Sequence, residues 1–325
     1  MELSLNTFGT ILAVENGNFI VRHKDGGQVV SPDNLKTISI SKGAQISSDA
    51  ALLAVNNSIE VLFVDNAGMP LGRIWSVKYG SISNIRKNQL EFTFSPKSVD
   101  WIKSVISQKM DNQTAILLSL MPDSSEMQKT IDAAINRITD YRKKVQKLDG
   151  EIVNDIAPSL RGWEGAASKT YFEVISQVMP EGYSFEGRSQ HPAVDIFNCM
   201  LNYAYGILYG KIEGALIKAG IDPYIGIFHR DDYNRPVLVF DVIELYRVWA
   251  DYVIINLCMQ KAVDGDSYSM KADGSYWLEN LGRRIVIQAM NDYFEEVISM
   301  NGMERSRSTH LELYAHNLAN TFGNR

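Results

Sequence analysis

The apolar pattern of the chain changes period near Ser83, and no single element type accommodates both parts. Before that point apolar residues alternate with polar ones or come in short runs punctuated by turn residues, the side-chain spacing of strands. After it they recur three and four residues apart, the spacing of a helix face. In "TILAVENGNFIVRHKDGGQVV" the turn signals Asn16-Gly17 and Asp25-Gly26-Gly27 separate β-rich runs and predict consecutive hairpins. Thr37 to Ser41 alternates as a half-buried strand does. Asp49 is placed to cap a short helix over "AALLAVNN", "IEVLFVD" reads as a fully buried strand, and "NAGMPLG" as a closing turn.

Beyond the switch, Ile131, Ile135, Ile138, Val145 and Leu148 mark one face of an amphipathic helix. Pro192 is placed to open a long helix through Leu216, with Gly220 to end it and Asp222-Pro223 to prevent a restart. Further helices are expected over Asp241 to Ala262, Tyr276 to Met300 and Arg305 to Phe322. The predicted class is α+β: a β-rich N-terminal domain over 1–83 and a mainly α-helical domain over 84–325, divided within Tyr79 to Lys87. With 325 residues, 45% hydrophobic and 22% charged, the chain has material for two domains and a sizeable core.

No apolar run approaches the roughly 20 residues that cross a bilayer, and "MELSLNTFGT" lacks a basic region followed by a hydrophobic one, so a cytoplasmic protein is expected. Cys199 and Cys258 sit in apolar helical context and read as buried thiols, because two cysteines make neither a zinc site nor a disulfide framework. The net charge of −6 hides local basic clusters. Arg73, Lys78, Arg86, Lys87, Lys97, Lys103 and Lys109 face only Glu91 and Asp100 in the same stretch, and Arg137, Arg142, Lys143, Lys144 and Lys147 only Asp140. Each cluster reads either as a solvated helix face or as a phosphate-binding footprint.

Charge also appears where core is being built. "YIGIFH" is a short β-type run ending at His229, "RDDYNRP" a polar turn, and "VLVFDVIELYR" an apolar stretch holding Asp241 and Glu244, three apart and on one helix face. Partly buried carboxylates need positive charge nearby. A divalent cation held with His229 would supply it; alternatively Asp241 caps the helix, Arg247 pairs with Glu244, and His229 is a satisfied core histidine. A third acid, Glu164, lies among small residues in "RGWEGAAS", where another segment can approach it closely, although an acid in the first turn of a helix is also favoured by the dipole.

Several blocks in order resemble the CRISPR-associated spacer-acquisition integrases, the Cas one family. They are Leu160-x-Gly162-x-Glu164-Gly165 followed by Tyr171-Phe172; Pro192-x-x-Asp195-x-x-Asn198 with Leu201-Asn202-Tyr203 and Leu208-Tyr209-Gly210; and Ala219-Gly220-x-Asp222-Pro223 leading to Gly226-x-x-His229, Arg235-Pro236, Asp241-x-x-Glu244 and Arg247. The front end "QISSDAALLAVNNSIEVLFVDNAGMPLGR" resembles the family's helix, strand and glycine turn, while Val237 and Tyr246 depart from its usual serine and phenylalanine. The resemblance implies a metal-dependent DNA integrase and endonuclease of CRISPR adaptation, with Glu164, His229 and Glu244 as ligands of Mg²⁺ or Mn²⁺ and Asp241 as a supporting acid. It further implies that Tyr209, Arg188 and Asn198 lie near the DNA surface, the latter two being equally able to act as local hydrogen-bonding residues. A homodimer through the β-rich domain is implied, with double-stranded DNA as substrate (prespacer and CRISPR repeat) and a small protein, Cas two, bridging two dimers. The rival readings are a nuclease without integrase activity and a non-catalytic architectural DNA-binding protein. The remaining histidines, His23, His191, His310 and His316, read as surface or capping residues.

Overall fold

The computed structural model describes residues 2–323 apart from 25, 36, 58, 66–69, 75–79, 123, 191, 230–234 and 301. Lys78, His191, the turn at 230–234 and part of the closing turn over "NAGMPLG" therefore lie outside the described residues. The front of the chain forms β1 (Glu2–Leu5), β2 (Ile11–Glu15), β3 (Asn18–His23), β4 (Gly26–Val30), β5 (Thr37–Ser41), β6 (Gln45–Ile46), α1 (Ser48–Asn56), β7 (Glu60–Val64) and β8 (Pro70–Ile74). Strands β2, β3 and β4 pair antiparallel as the expected hairpins. The β2–β3 turn places Asn16 at φ 50 and Gly17 at φ 76, the paired positive dihedrals of a two-residue hairpin turn, which asparagine and glycine tolerate best. A second sheet runs in the order β1-β5-β7-β8. Its β5–β7 pair is parallel, so a crossover is required, and α1 supplies it.

Three local expectations change. Helix α1 is capped by Ser47, whose Oγ accepts from the Ala50 N–H at 3.2 Å, while Asp49 sits inside the first turn. Ser47 lies in extended backbone one residue before the helix, where its short hydroxyl reaches the free N–H groups. In β7 Val61, Leu62 and Val64 are buried but Phe63 is 37% exposed, so the strand is not buried throughout. The long apolar helix begins at Ile196 rather than at Pro192, because the Asp195 carboxylate accepts the Asn198 N–H at 2.7 Å.

The helical part comprises α2 (Gly80–Thr93), α3 (Pro96–Ser119), α4 (Ser125–Gln146), α5 (Val153–Val178), α6 (Ile196–Lys218), α7 (Val237–Ile243) and α8 (Arg247–Met259). It continues through β9 (Tyr268–Met270), β10 (Tyr276–Leu278), α9 (Asn280–Glu295), β11 (Val297–Met300), β12 (Met303–Ser306) and α10 (Arg307–Gly323). The stretch expected to be helical from Tyr276 to Met300 thus begins and ends in strand. Gly274 at φ +81 and the Lys271–Ser275 turn hydrogen bond close the β9–β10 hairpin. Gly302 at φ +76 follows Asn301 in an Asn-Gly dipeptide, the commonest short hairpin signal, between β11 and β12.

Two hydrophobic cores form. One runs from Leu5 to Val61 in the front sheets, the other from Phe92 to Phe322 around the helices. Helix α6 is the axis of the second: Leu201, Leu208, Ile212 and Leu216 are wholly buried, and α7, α8, α9 and α10 pack against it. Gly220 at φ +82 ends it, with the Ile221 N–H donating to the Leu216 carbonyl. Helices α3, α4 and α5 form a second layer in which α4 buries Ile131, Ala134, Ile138 and Val145. The two parts meet where Arg73 of β8 pairs with Glu60 at 3.5 Å and donates to the Ile217 carbonyl at 3.2 Å. Cys199 and Cys258 are buried free thiols. Among the described residues no helix is long and apolar enough to cross a membrane.

Replacing Ser47 by Ala should cost α1 about 1 kcal/mol, and Asp49→Ala less than about half of that. Hydrogen exchange of the α1 amides measures the difference, and equal effects would refute Ser47 as the cap.

Candidate metal centre

The run 224–229, expected to be β-type, forms no strand. Its backbone donors go to a side chain instead: the N–H groups of Ile227, Phe228 and His229 reach the Asp241 carboxylate at 2.7, 3.0 and 3.1 Å. The His229 ring joins them through Nδ1, 2.7 Å from Asp241 Oδ1. Asp241 lies within α7 and is wholly buried, so it does not cap that helix. A carboxylate accepts and does not donate, so Nδ1 carries the hydrogen and the Nε2 lone pair is left available. The side chain of His229 is 41% exposed, which makes it more accessible than a satisfied core histidine.

The loop is clamped from outside as well. Gln89 of α2, fully buried, donates to the carbonyls of Asp222 and Ile225 at 2.7 and 3.0 Å and accepts the Asp222 N–H at 3.0 Å. Arg161 of α5 lies 5.0 Å from the Phe228 ring centroid. At Gly226 a Cβ would fall 2.1 Å from the His229 carbonyl oxygen, so only glycine fits where the loop folds back on itself.

Glu244 follows the last residue of α7, where the chain turns through Leu245 and Tyr246 before α8 begins. The helix expected over 241–262 is therefore broken at the glutamate. Three-residue turn bonds from Leu245 to Val242 and from Tyr246 to Ile243 carry the break, and Asn112 of α3 donates to the freed Leu245 carbonyl at 2.9 Å. One turn earlier on the same face of α3, Lys109 pairs with Glu164 of α5 and, at 2.5 Å, with Glu244. Gln113 reaches Ser168 at 3.3 Å, and Ser168, one turn beyond Glu164, donates to that carboxylate at 3.0 Å. Helix α3 thus straps α5 to the α7–α8 turn and brings two of the three expected ligands together.

Arg247 donates to Glu244 Oε1 at 2.8 Å, as the alternative sequence reading allowed. Burial pushes the Glu244 carboxyl up, but Arg247 and Lys109 outweigh it and hold the group at about 2. Two carboxylates already converge on one cation, the Lys109 ammonium, and among the described residues the third donor, His229, is engaged through Nδ1 and not Nε2. That donor set suits a hard divalent cation. As the side chains stand, no three His, Cys, Asp or Glu groups among the described residues are arranged to hold an ion.

Lys109 leaves the first basic cluster, since it is 6% exposed and paired inside the protein. Arg73 and Arg86 are likewise engaged, with Glu60 and Asp222, and Lys103 donates to the Leu148 carbonyl at 2.6 Å. In the second cluster Arg142 pairs with Asp111 at 2.6 Å, while Arg137, Lys143, Lys144 and Lys147 are exposed. Asn198 is fully buried and, with Asn202, holds the Arg188 guanidinium. Tyr209 reaches the Pro236 carbonyl at 3.3 Å, and its ring and that of His229 both contact Phe240. Sequence reasoning missed Gln89, Asn112 and Lys109 as parts of the site, since their partners lie 55 to 136 residues away. Ser168, four residues after Glu164, was legible from helical spacing.

Behind Arg247 the rings of Tyr205 and Phe172 stack with cations, Arg247 at 4.9 Å and Arg188 at 5.5 Å from Tyr205. The Tyr205 hydroxyl donates to the buried Asp251 at 2.6 Å. Burial nevertheless pushes the Asp251 carboxyl up to about 6, against the opposing pull of Tyr205, Arg188 and Arg247.

The family profile described as CRISPR associated protein Cas1 matches residues 3–292. A protein of Archaeoglobus fulgidus named CRISPR-associated endonuclease Cas1 1 is 32% identical over 97% of this chain and 94% of its own. Another of the same name from Francisella tularensis subsp. novicida is 29% identical over 79% and 78%. Among solved structures, a casposase bound to integration product superposes with a TM-score of 0.74 at 19% identity, covering 99% of this chain and 95% of its own. A Cas1 protein from Thermotoga maritima does so at 0.69 and 16% over 100% and 97%. These two likenesses establish a shared fold.

Two predictions follow from the geometry. Asp241→Ala strips three backbone donors of their acceptor and should cost at least about 3 kcal/mol in chemical denaturation; a loss below about 1 would contradict the central role of that carboxylate. For Asp251 the folded-state pKa lies above the unfolded one, so its contribution to stability is full below about 4 and falls away as pH rises through 6. Asp251→Asn should therefore gain on the wild type by about 2 kcal/mol between pH 4 and pH 7, measured as the change in their stability difference.

Proposed function

The chain belongs to the CRISPR-associated Cas1 family, and on that premise we propose that it is the DNA integrase and endonuclease subunit of CRISPR adaptation. Its substrate is double-stranded DNA: a prespacer whose 3′-hydroxyl ends are joined to the repeat of a CRISPR array by phosphodiester exchange. The observation that carries this reading is the convergence of Glu164, on α5, and Glu244, at the α7–α8 turn, on the single Lys109 ammonium, in a fold where Asp241 also fixes the tautomer of His229. The endonuclease names of the relatives at 32% and 29% identity support it.

Glu164, Glu244 and His229 Nε2 would hold Mg²⁺ or Mn²⁺. Bound there, the ion supplies polarisation of the scissile phosphodiester and stabilisation of the leaving oxygen. The protein's own part is positional. Asp241 keeps the imidazole hydrogen on Nδ1 and holds the loop that carries His229. Arg247 keeps Glu244 ionised, and Ser168 orients Glu164. Exchange of one phosphodiester for another requires no nucleotide hydrolysis, in keeping with a sequence without a G-x-x-x-x-G-K-[ST] loop. Exposed Arg137, Lys143, Lys144 and Lys147 supply phosphate contacts to the duplex. The division into a β-rich unit over 1–83, through which two copies pair, and a catalytic unit over 84–325 belongs to the same proposal. So does assembly with Cas2; a solved structure of the same fold, a partial Cas6-RT-Cas1--Cas2 complex with a TM-score of 0.75 at 22% identity, supports it.

The test incubates the protein with Mn²⁺, a free-ended duplex and a supercoiled plasmid carrying a repeat. Joined product is expected from the wild type, with Glu164→Gln, His229→Ala and Glu244→Gln each reduced at least about 100-fold and still binding DNA. Asp241→Asn, acting through His229, should lose about 10- to 100-fold. Cleavage without joining would leave a nuclease only, and full activity in the three ligand variants would leave an architectural DNA-binding protein.

A further inference from the structure

A buried lysine at the heart of a site meant for a metal ion is at odds with simple metal binding. Lys109 and Arg247 bring two positive charges, and Glu164 and Glu244 two negative ones, so the four-group cluster is neutral as it stands. A divalent ion added between the same carboxylates would leave an excess of two positive charges in a poorly solvated place. The two resident cations differ in how readily they can leave. Arg247 is held by its hydrogen bond to Glu244 and by the Tyr205 ring at 4.9 Å. The partners that hold the Lys109 ammonium are the carboxylates themselves, at the end of a flexible four-carbon stem.

We propose that Lys109 is an internal counter-cation: in the DNA-free protein its ammonium occupies the position between Glu164 and Glu244, and it must swing away for a divalent ion to enter. The inference rests on the metal-site reading above and extends it to regulation. Once displaced, the lysine and the ion together require negative charge, and the phosphates of bound DNA provide it. Metal uptake and DNA binding are thereby coupled, each favouring the other as linkage demands. A free protein that holds its ion weakly is guarded against cutting DNA that is not seated.

The probe is Mn²⁺ itself, titrated by calorimetry into wild type, Lys109→Met and Lys109→Gln, each without DNA and with a duplex oligonucleotide. Without DNA both variants should bind Mn²⁺ on the order of tenfold more tightly than the wild type. The wild type should gain affinity when duplex is added, and the variants should gain less. Thermal denaturation gives an independent reading: the variants melt earlier than the wild type without metal, and Mn²⁺ raises their midpoints by more than it raises that of the wild type. A lysine that only ties helices together predicts equal Mn²⁺ shifts. Equal or weaker Mn²⁺ binding by folded Lys109→Met and Lys109→Gln overturns the inference while leaving the metal site intact. No Mn²⁺ binding by any of the three, with or without duplex, overturns the metal-site reading and the inference with it.

Discussion

The buried carboxylate of Asp241 is the interaction on which the site depends. Three consecutive N–H groups and one imidazole converge on it, at distances between 2.7 and 3.1 Å. Without it the N–H groups of Phe228 and His229 would lose the acceptor the fold gives them, and such groups cost far more unpaired than they contribute paired. The same atoms set the tautomer of His229, so one side chain settles both where the loop runs and which imidazole nitrogen is available.

A second constraint works at right angles to the chain. Helix α3 presents Lys109, Asn112 and Gln113 on one face, and these reach both glutamates, the Leu245 carbonyl at the α7–α8 break and Ser168. The break itself is what places Glu244 at a helix end, where its carboxylate meets Lys109 of α3 and Arg247 of α8. A continuous helix there would carry the residue in regular register with Asp241. The electrostatics follow from this packing: Glu244 is buried and ionised because two cations pair with it, Lys109 buried and Arg247 half-buried, and a buried charge persists only with such partners.

Much of this was legible in the residues. The hairpin at Asn16-Gly17, the strand Thr37–Ser41, the apolar face of α4 and the stop at Gly220 all rest on local chemistry, a turn dihedral or a side-chain period, and the structure keeps them. Where the reading slipped, a nearby group offered a better hydrogen bond. Ser47 displaced Asp49 as a cap, Asp195 started α6, and Asp241 took the donors that a strand from Tyr224 to His229 would have given to a neighbour.

The sequence by itself determined the period of the front hairpins and of the long helices α4 and α6, the ordered blocks that mark the Cas1 family, and the identity of the acids and the histidine. Each of these is carried by residues within a few positions of one another. Only the tertiary structure decided that Lys109, a member of a basic run by its neighbours in sequence, is a buried partner of Glu164 and Glu244, 55 and 135 residues further on. Charge pairing depends on distance in space, which a one-dimensional pattern does not carry, so the same lysine reads as surface in the sequence and as the centre of the site in the fold.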